Sequence, residues 1–231
     1  MKISCWALTH QGRRVDNQDA VGLPGHLMTD DGEVISRVTP LTRDGSVVAV
    51  ADGVGGRPDG RWAAFAAIES LATKPIADNE AKALRLAIAS AHRSVLARTS
   101  RGIGPATTIA GISASEEGVL IFNVGDSRVY QIEHAAVRLL TVDHRSQTDS
   151  RAITRFLGGS EANAIPYIDR LEVDLGTEFL ISTDGFHQFL RETDLLLLKD
   201  LTPDRALASL FDMALDNGSN DNLSAIFCRI E

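Results

Sequence analysis

Cysteine is scarce in this 231-residue chain, and aromatic residues make up only 5% of it. The two cysteines, Cys5 and Cys228, lie near opposite ends in apolar segments, with no CxxC pair and no Cys/His cluster. That pattern excludes a zinc module of familiar spacing; a disulfide between the two is possible but disfavoured, and both thiols are expected reduced and buried. No apolar run approaches the roughly 20 residues a membrane-spanning helix requires. The opening MKISCWALTHQGRR also lacks the apolar centre of a secretory signal. The expectation is a cytoplasmic protein without a membrane partner. Positive charge is short as well: 23 Lys and Arg against 31 Asp and Glu give a net charge of -8. Such a chain has no counterion-release drive toward nucleic acid. Internal repeats, low-complexity tracts and linker-like charge blocks are absent too.

What is present is the balance of an ordinary globular protein, 44% hydrophobic and 23% charged. The length suits one domain over residues 1–231, expected to be monomeric, with a self-sufficient core. Residues 3–8 and 47–51 read as strands, separated by a polar loop over 24–45. Helices are expected over 61–72 and 80–99, the second opened by Asp78 and Asn79 as capping residues. ATTIAGIS, VLIFNV, RVYQIE and AVRLLTV then read as meandering antiparallel strands. RLEVDL and EFLIST follow as two strands joined at Gly176-Thr177. Thr202 and Pro203 open an amphipathic helix to about Leu215, and NLSAIFCRI closes the chain as a strand. The class is α+β, with helices packed outside antiparallel sheets.

Three apolar runs end alike: VVAVAD at Asp52, LIFNVGD at Asp126 and FLISTD at Asp184, each with glycine beside the acid. Singly, each reads as turn chemistry, because Asp-Gly after a strand is a common turn pair. Together they imply strand ends meeting at one edge, joined by Asp19 of DNQDA and Asp221 of SNDNLSAI. Carboxylates that close repel strongly at low effective dielectric and call for a cation between them. All the candidate ligands are hard oxygen donors, which favours Mg²⁺ or Mn²⁺ over Zn²⁺.

RVDNQD at 14–19, DGVGG at 52–56, GDSR at 125–128, STDG at 182–185 and Asp221-Asn222 occur in this order. In that order they resemble the motifs of the metal-dependent protein phosphatase (PPM) family, the type 2C serine/threonine phosphatases. The resemblance covers essentially the whole chain. It implies a four-layer α-β-β-α sandwich, two antiparallel sheets flanked by helices. The implied activity is hydrolysis of phosphoserine and phosphothreonine on proteins by a metal-activated water, opposing a bacterial-type serine/threonine kinase. Carried over, Asp52 resembles the carboxylate bridging two Mg²⁺ or Mn²⁺ ions, with the Gly53 carbonyl on one of them. Asp184 and Asp221 complete the other. Asp19 matches a position holding metal-bound water, and Gln18 stands where some relatives carry Glu. Asp126 resembles the acid that, with Asp184, holds a third, weaker ion in bacterial members. Arg14 matches the residue that binds substrate phosphate, its paired donors suited to two phosphate oxygens. The glycines of DGVGG are expected to let backbone approach metal.

Three departures stand out. Position 54 is valine where eukaryotic relatives often carry histidine, so no side chain is assigned as general acid and metal-bound water is the expected proton donor. The segment between Asp143-His144 and residues 155–158 is short, implying a shortened flap, and residues 25–45 form an extra loop or hairpin. His144 and His187 read as structural. A dinucleotide cradle is disfavoured, because its third glycine would fall on Pro58. A catalytically silent interaction module of this fold and a phosphatase of small phosphomonoesters are the rival readings.

Overall fold

In the computed structural model, residues 1–72, 74–98, 103–149, 152–159 and 164–231 are described. The first half contains β1 (Lys2–His10), β2 (Asp19–Leu23), β3 (His26–Met28), β4 (Ile35–Pro40), β5 (Ser46–Asp52), α1 (Gly60–Ala72) and α2 (Ala81–Leu96). Then come β6 (Ala106–Thr107), β7 (Ile109–Ser115), β8 (Gly118–Val124), β9 (Arg128–Ile132), β10 (Val137–Leu139), β11 (Leu157–Gly158) and β12 (Tyr167–Leu171). The chain finishes with β13 (Glu178–Ser182), α3 (Asp184–His187), α4 (Leu197–Asp200), α5 (Pro203–Asp216) and β14 (Leu223–Ile230). Among the described residues no helix is long and apolar enough to cross a membrane.

Two six-stranded antiparallel sheets form the centre, ordered β10-β9-β13-β14-β1-β4 and β12-β8-β7-β5-β2-β3. The continuous apolar run of β5 follows from burial on both faces. Val48 and Val50 join the layer between the sheets, with Ile3, Ile112, Ile181 and Ile226. Val47, Ala49 and Ala51 instead face α1 and α2, against Ile68, Leu71, Leu84 and Ile88. Strand β14 repeats the pattern: Ile226 and Cys228 point inward, while Ala225 and Phe227 pack with Leu207 and Leu210 of α5. Side chains alternate along a strand, so a strand sandwiched between a sheet and a helix layer reads as a near-continuous apolar run. Each large side chain fully buried this way contributes on the order of 1.5–3 kcal/mol. Helix, sheet, sheet and helix thus stack as the expected α+β four-layer sandwich.

Cys5 and Cys228 are free, buried and opposite one another across β1 and β14, their sulfurs 3.4 Å apart.

Several local expectations are corrected. The stretch 24–45 is no plain loop: β3 and β4 lie within it and form an edge strand of each sheet. Asp19–Leu23 is a central strand hidden by its two small residues, Ala20 and Gly22, which bring β2 close under α1. A Cβ on Gly22 would sit 2.6 Å from Ile68. The meander breaks after β8, since β9 belongs to the other sheet. The pair at 170–183 is no hairpin either: the first strand is Tyr167–Leu171, paired with β8, whereas β13 pairs with β9 and β14. Asp78 and Asn79 do not cap α2, whose N-cap is Glu80 without a side-chain bond. Asn79 is instead buried, its amide nitrogen bonded to the Ser113 and Gly118 carbonyls and the Ser115 hydroxyl. Helix α2 ends at Leu96; the expected end at Thr99 lies outside the described residues. Thr202 takes the N-cap position of α5 without a side-chain cap bond, and Pro203 begins the helix as expected.

Candidate active site

Antiparallel register brings the acids together. Strand β2 starts at Asp19 directly opposite Asp52, where β5 ends. The end of β13 lies beside the start of β14, with Ser182 opposite Ala225, so the flanking Asp184 and Asp221 share one edge. Val124, closing β8, pairs with Ile109 at the start of β7, and Val50 of β5 pairs with Ala110, which places Asp126 at the same end of the sandwich. A cavity of about 410 Å³ opens there, lined by Arg14, Asp52, Gly53, Asp126, Asp184 and Asp221 among others. Six of the seven expected site residues therefore share one wall. Asp19, the seventh, lies behind Asp52 and is wholly buried.

Local bonding fixes this floor. The Asp52 amide donates to the Thr108 hydroxyl (3.1 Å), while its carbonyl accepts from the Thr108 amide (2.8 Å) and the Thr107 hydroxyl (2.8 Å). Asp19 Oδ2 accepts from the hydroxyls of Thr183 (2.9 Å) and Ser224 (2.7 Å), whereas its Oδ1 is buried without a protein partner. Gly53 has a reason beyond any ligand: a Cβ there would lie 2.6 Å from the Gly60 backbone at the start of α1. Gly55 and Gly56 face open space, and Gly56 adopts φ +77°, so the second half of the turn needs glycine for conformation rather than for close approach.

The charges are out of balance. Burial pushes Asp19 up to about 7, against the hydroxyl bonds that favour its anion. Asp52 is raised well above the usual carboxylate range by burial, then by Asp19, Asp184, Asp221 and Asp126. Burial and then Asp221 raise Asp184, and a hydrogen bond with Asp52 opposes that rise. Asp126 rises to about 6 through burial and Asp184. Two arginines answer part of this charge. Arg14 forks onto Asp221, Nε to Oδ1 at 3.0 Å and Nη2 to Oδ2 at 2.8 Å. Arg145 Nη2 lies 2.8 Å from Asp126 and 3.5 Å from Asp184. With three acids paired to guanidinium groups, no set of three His, Cys, Asp or Glu among the described residues is drawn up as a ready metal shell.

The chain matches the family described as Protein phosphatase 2C over residues 16–228. It belongs to the protein phosphatase 2C family. The match spans every expected acid of the site, and Arg14 lies two residues before it. Among curated proteins, the serine/threonine phosphatase stp of Listeria welshimeri is 30% identical over 162 residues, covering 66% of this chain and 64% of that protein. The Listeria monocytogenes protein of the same name is 29% identical over the same length. The chain thus spans a little under two thirds of these relatives. Among solved structures, the Streptococcus agalactiae serine/threonine phosphatase superposes with TM-score 0.80 at 21% identity, covering 99% of this chain and 100% of that one. The Mycobacterium tuberculosis phosphatase PstP/Ppp gives TM-score 0.80 at 20% identity, covering 100% of both chains. At that identity the likeness establishes the shared fold.

Within this family fold, His144 and His187 have structural places. His144 Nδ1 accepts from the Gly125 amide (3.1 Å), and burial with the nearby Arg155 lowers its pKa to about 4. His187 is buried against Ser182. Sequence reading missed Arg145, Thr183 and Ser224. The two hydroxyls sit at strand ends, where Ser and Thr are unremarkable. Arg145 follows the Asp-His pair, and only the folded chain shows it entering the acidic cluster.

Proposed function

We propose that this chain hydrolyses phosphoserine and phosphothreonine on proteins with the help of bound divalent cations, Mg²⁺ or Mn²⁺. The observation that carries this reading is the convergence of Asp52, Asp184 and Asp221 with Arg14 on one cavity, backed by a buried Asp19 whose Oδ1 has no partner. An all-oxygen set with excess negative charge fits a hard cation. The names of the Listeria relatives supply the substrate class, and the substrate would be the product of a serine/threonine kinase. Asp52, the Gly53 carbonyl, Asp184 and Asp221 would hold the ions. Bound there, such ions supply a water of lowered pKa and shield phosphate charge.

The chain's own groups do the rest. Thr107 and Thr108 lock the Asp52 backbone, so its carboxylate meets the cavity without rearrangement. Thr183 and Ser224 hold Asp19 by one oxygen and leave the other to accept from water. Arg14 already makes a two-pronged contact with a carboxylate, and the same fork fits two phosphate oxygens once Asp221 turns inward. Hydrolysis breaks the bond between phosphorus and the seryl or threonyl oxygen and adds one water, giving the free hydroxyl and inorganic phosphate. No histidine is among the residues lining the cavity, and Val54 brings no proton.

The test is release of phosphate from a phosphothreonine peptide and from an aryl phosphate, with Mn²⁺, with chelator, and in Asp184→Asn. Turnover with Mn²⁺ that disappears in both other arms is expected. Activity indifferent to chelator overturns the metal reading. No turnover of either substrate by folded, metal-loaded protein favours the silent module, and turnover of the aryl phosphate alone favours a small-molecule enzyme.

A further inference from the structure

Arg145 is the one cation that reaches the Asp126 side of the cluster in the described contacts, and its placement is constructed rather than incidental. Its backbone bridges to Ile153. On one side the His144 carbonyl accepts from the Thr154 amide at 2.7 Å, and on the other the Ser146 amide donates to the Ala152 carbonyl at 2.8 Å. The side chain is 23% exposed. Its Nε lies 3.8 Å from Asp143, which is itself forked by Arg128 Nε (2.9 Å) and Nη2 (2.7 Å). From this anchored position Nη2 spans Asp126 Oδ2 and Asp184 Oδ2. It favours the ionised form of both acids.

A metal ion bound between those two carboxylates, at about 2.0–2.6 Å from its ligands, would compete with Arg145 for Asp126 Oδ2 and Asp184 Oδ2. It would also meet a fixed positive charge a few ångströms away. We propose that the Arg145 guanidinium is a tethered cation for the Asp126–Asp184 pair, standing where a further divalent ion would otherwise bind. The chain then carries two exchangeable ions and one built-in charge. Asp126 serves to hold the arginine, and the arginine positions Asp184 for the core ions. This inference rests on the metal-dependent reading above, and it is proposed in place of the expectation that Asp126 and Asp184 hold a third ion.

The experiment counts bound Mn²⁺ by equilibrium dialysis with elemental analysis, independently of activity. Wild type is expected to bind two ions, and Asp126→Asn still two. Arg145→Ala should bind a third, at least tenfold weaker than the others, which Arg145→Ala/Asp126→Asn loses again. Arg145→Lys, which keeps the charge, should return the count to two. A wild type that binds three ions and drops to two in Asp126→Asn overturns the inference while leaving the metal reading intact. So does a folded Arg145→Ala protein that still binds two. A wild type that binds none overturns the metal reading itself, and this inference with it. Should Arg145→Ala fail to fold, the wild-type and Asp126→Asn counts decide alone.

Discussion

Strand β13 has a buried acid at its first residue and a half-buried one two residues past its last, and the two are treated oppositely. Glu178, at the start, is buried and held between Lys199 Nζ (2.7 Å) and Arg229 Nε (2.7 Å). Two cations meet one carboxylate, and the charge is answered within the fold. At the other end, Asp184 belongs to a group of five acids with Asp19, Asp52, Asp126 and Asp221. Arg14 and Arg145 pair with three of them, and Asp19 keeps a buried oxygen without a partner. A neutralised buried carboxylate is a structural device. A cluster left short of positive charge stores repulsion that a ligand can relieve, and functional sites hold such groups.

Breaking the cluster should cost chemistry, and breaking Glu178 should cost stability. The largest effect is expected for Asp52→Asn, which should lower phosphatase turnover by roughly a thousandfold, because oriented charge at the reacting centre supplies that order of rate. The same change should leave the metal-free melting temperature unchanged or raised, since it removes a carboxyl group whose charged form is opposed by burial and by Asp19, Asp184, Asp221 and Asp126. A large loss of stability in metal-free Asp52→Asn would erase the contrast with Glu178. Arg14→Ala is next, with kcat/KM expected to fall about a hundredfold for loss of a forked, charge-assisted phosphate contact. Arg14→Lys should recover only part of it, because an ammonium cannot reproduce the fork.

Glu178→Gln should destabilise the protein by about 1–3 kcal/mol, less than for a fully buried pair because Lys199 and Arg229 are partly exposed. Turnover per folded molecule should not change. Urea unfolding and steady-state kinetics on the same preparation separate the two outcomes.

The smallest effect is a pH trend. Asp19 and Asp126 titrate in the folded, metal-free protein near 7 and 6, above the ordinary 3.8. Their protonated forms favour folding. That contribution is complete below the unfolded value and is lost as pH rises through the folded values. Without metal, the melting temperature should therefore drop by several degrees between about pH 4 and pH 7. Saturating Mn²⁺ at pH 7 should reverse the drop, and scanning calorimetry with and without chelator checks both halves.

Much of this was legible in the sequence because it depended on local pattern. VVAVAD declared a strand buried on both faces and an acid at its end, and the recurrence at Asp126 and Asp184 declared a shared edge. β2 was illegible, since Ala20 and Gly22 carry little hydrophobic signal and owe their size to the approach of α1. The exchange of β9 and β12 between sheets was equally hidden, because a short turn does not specify which sheet the next strand joins. Asn79 read as a cap, and the fold used its amide to tie β7 and β8 instead.

The sequence by itself determined the α+β class, the order of the motifs and the set of acids, since these follow from residue type, periodicity and spacing along the chain. Tertiary structure alone decided which charges meet. Register across β2 and β5 put Asp19 behind Asp52, and a backbone bridge put Arg145 between Asp126 and Asp184. Coulomb interactions depend on separation in space, and the separations that matter here join residues far apart in sequence.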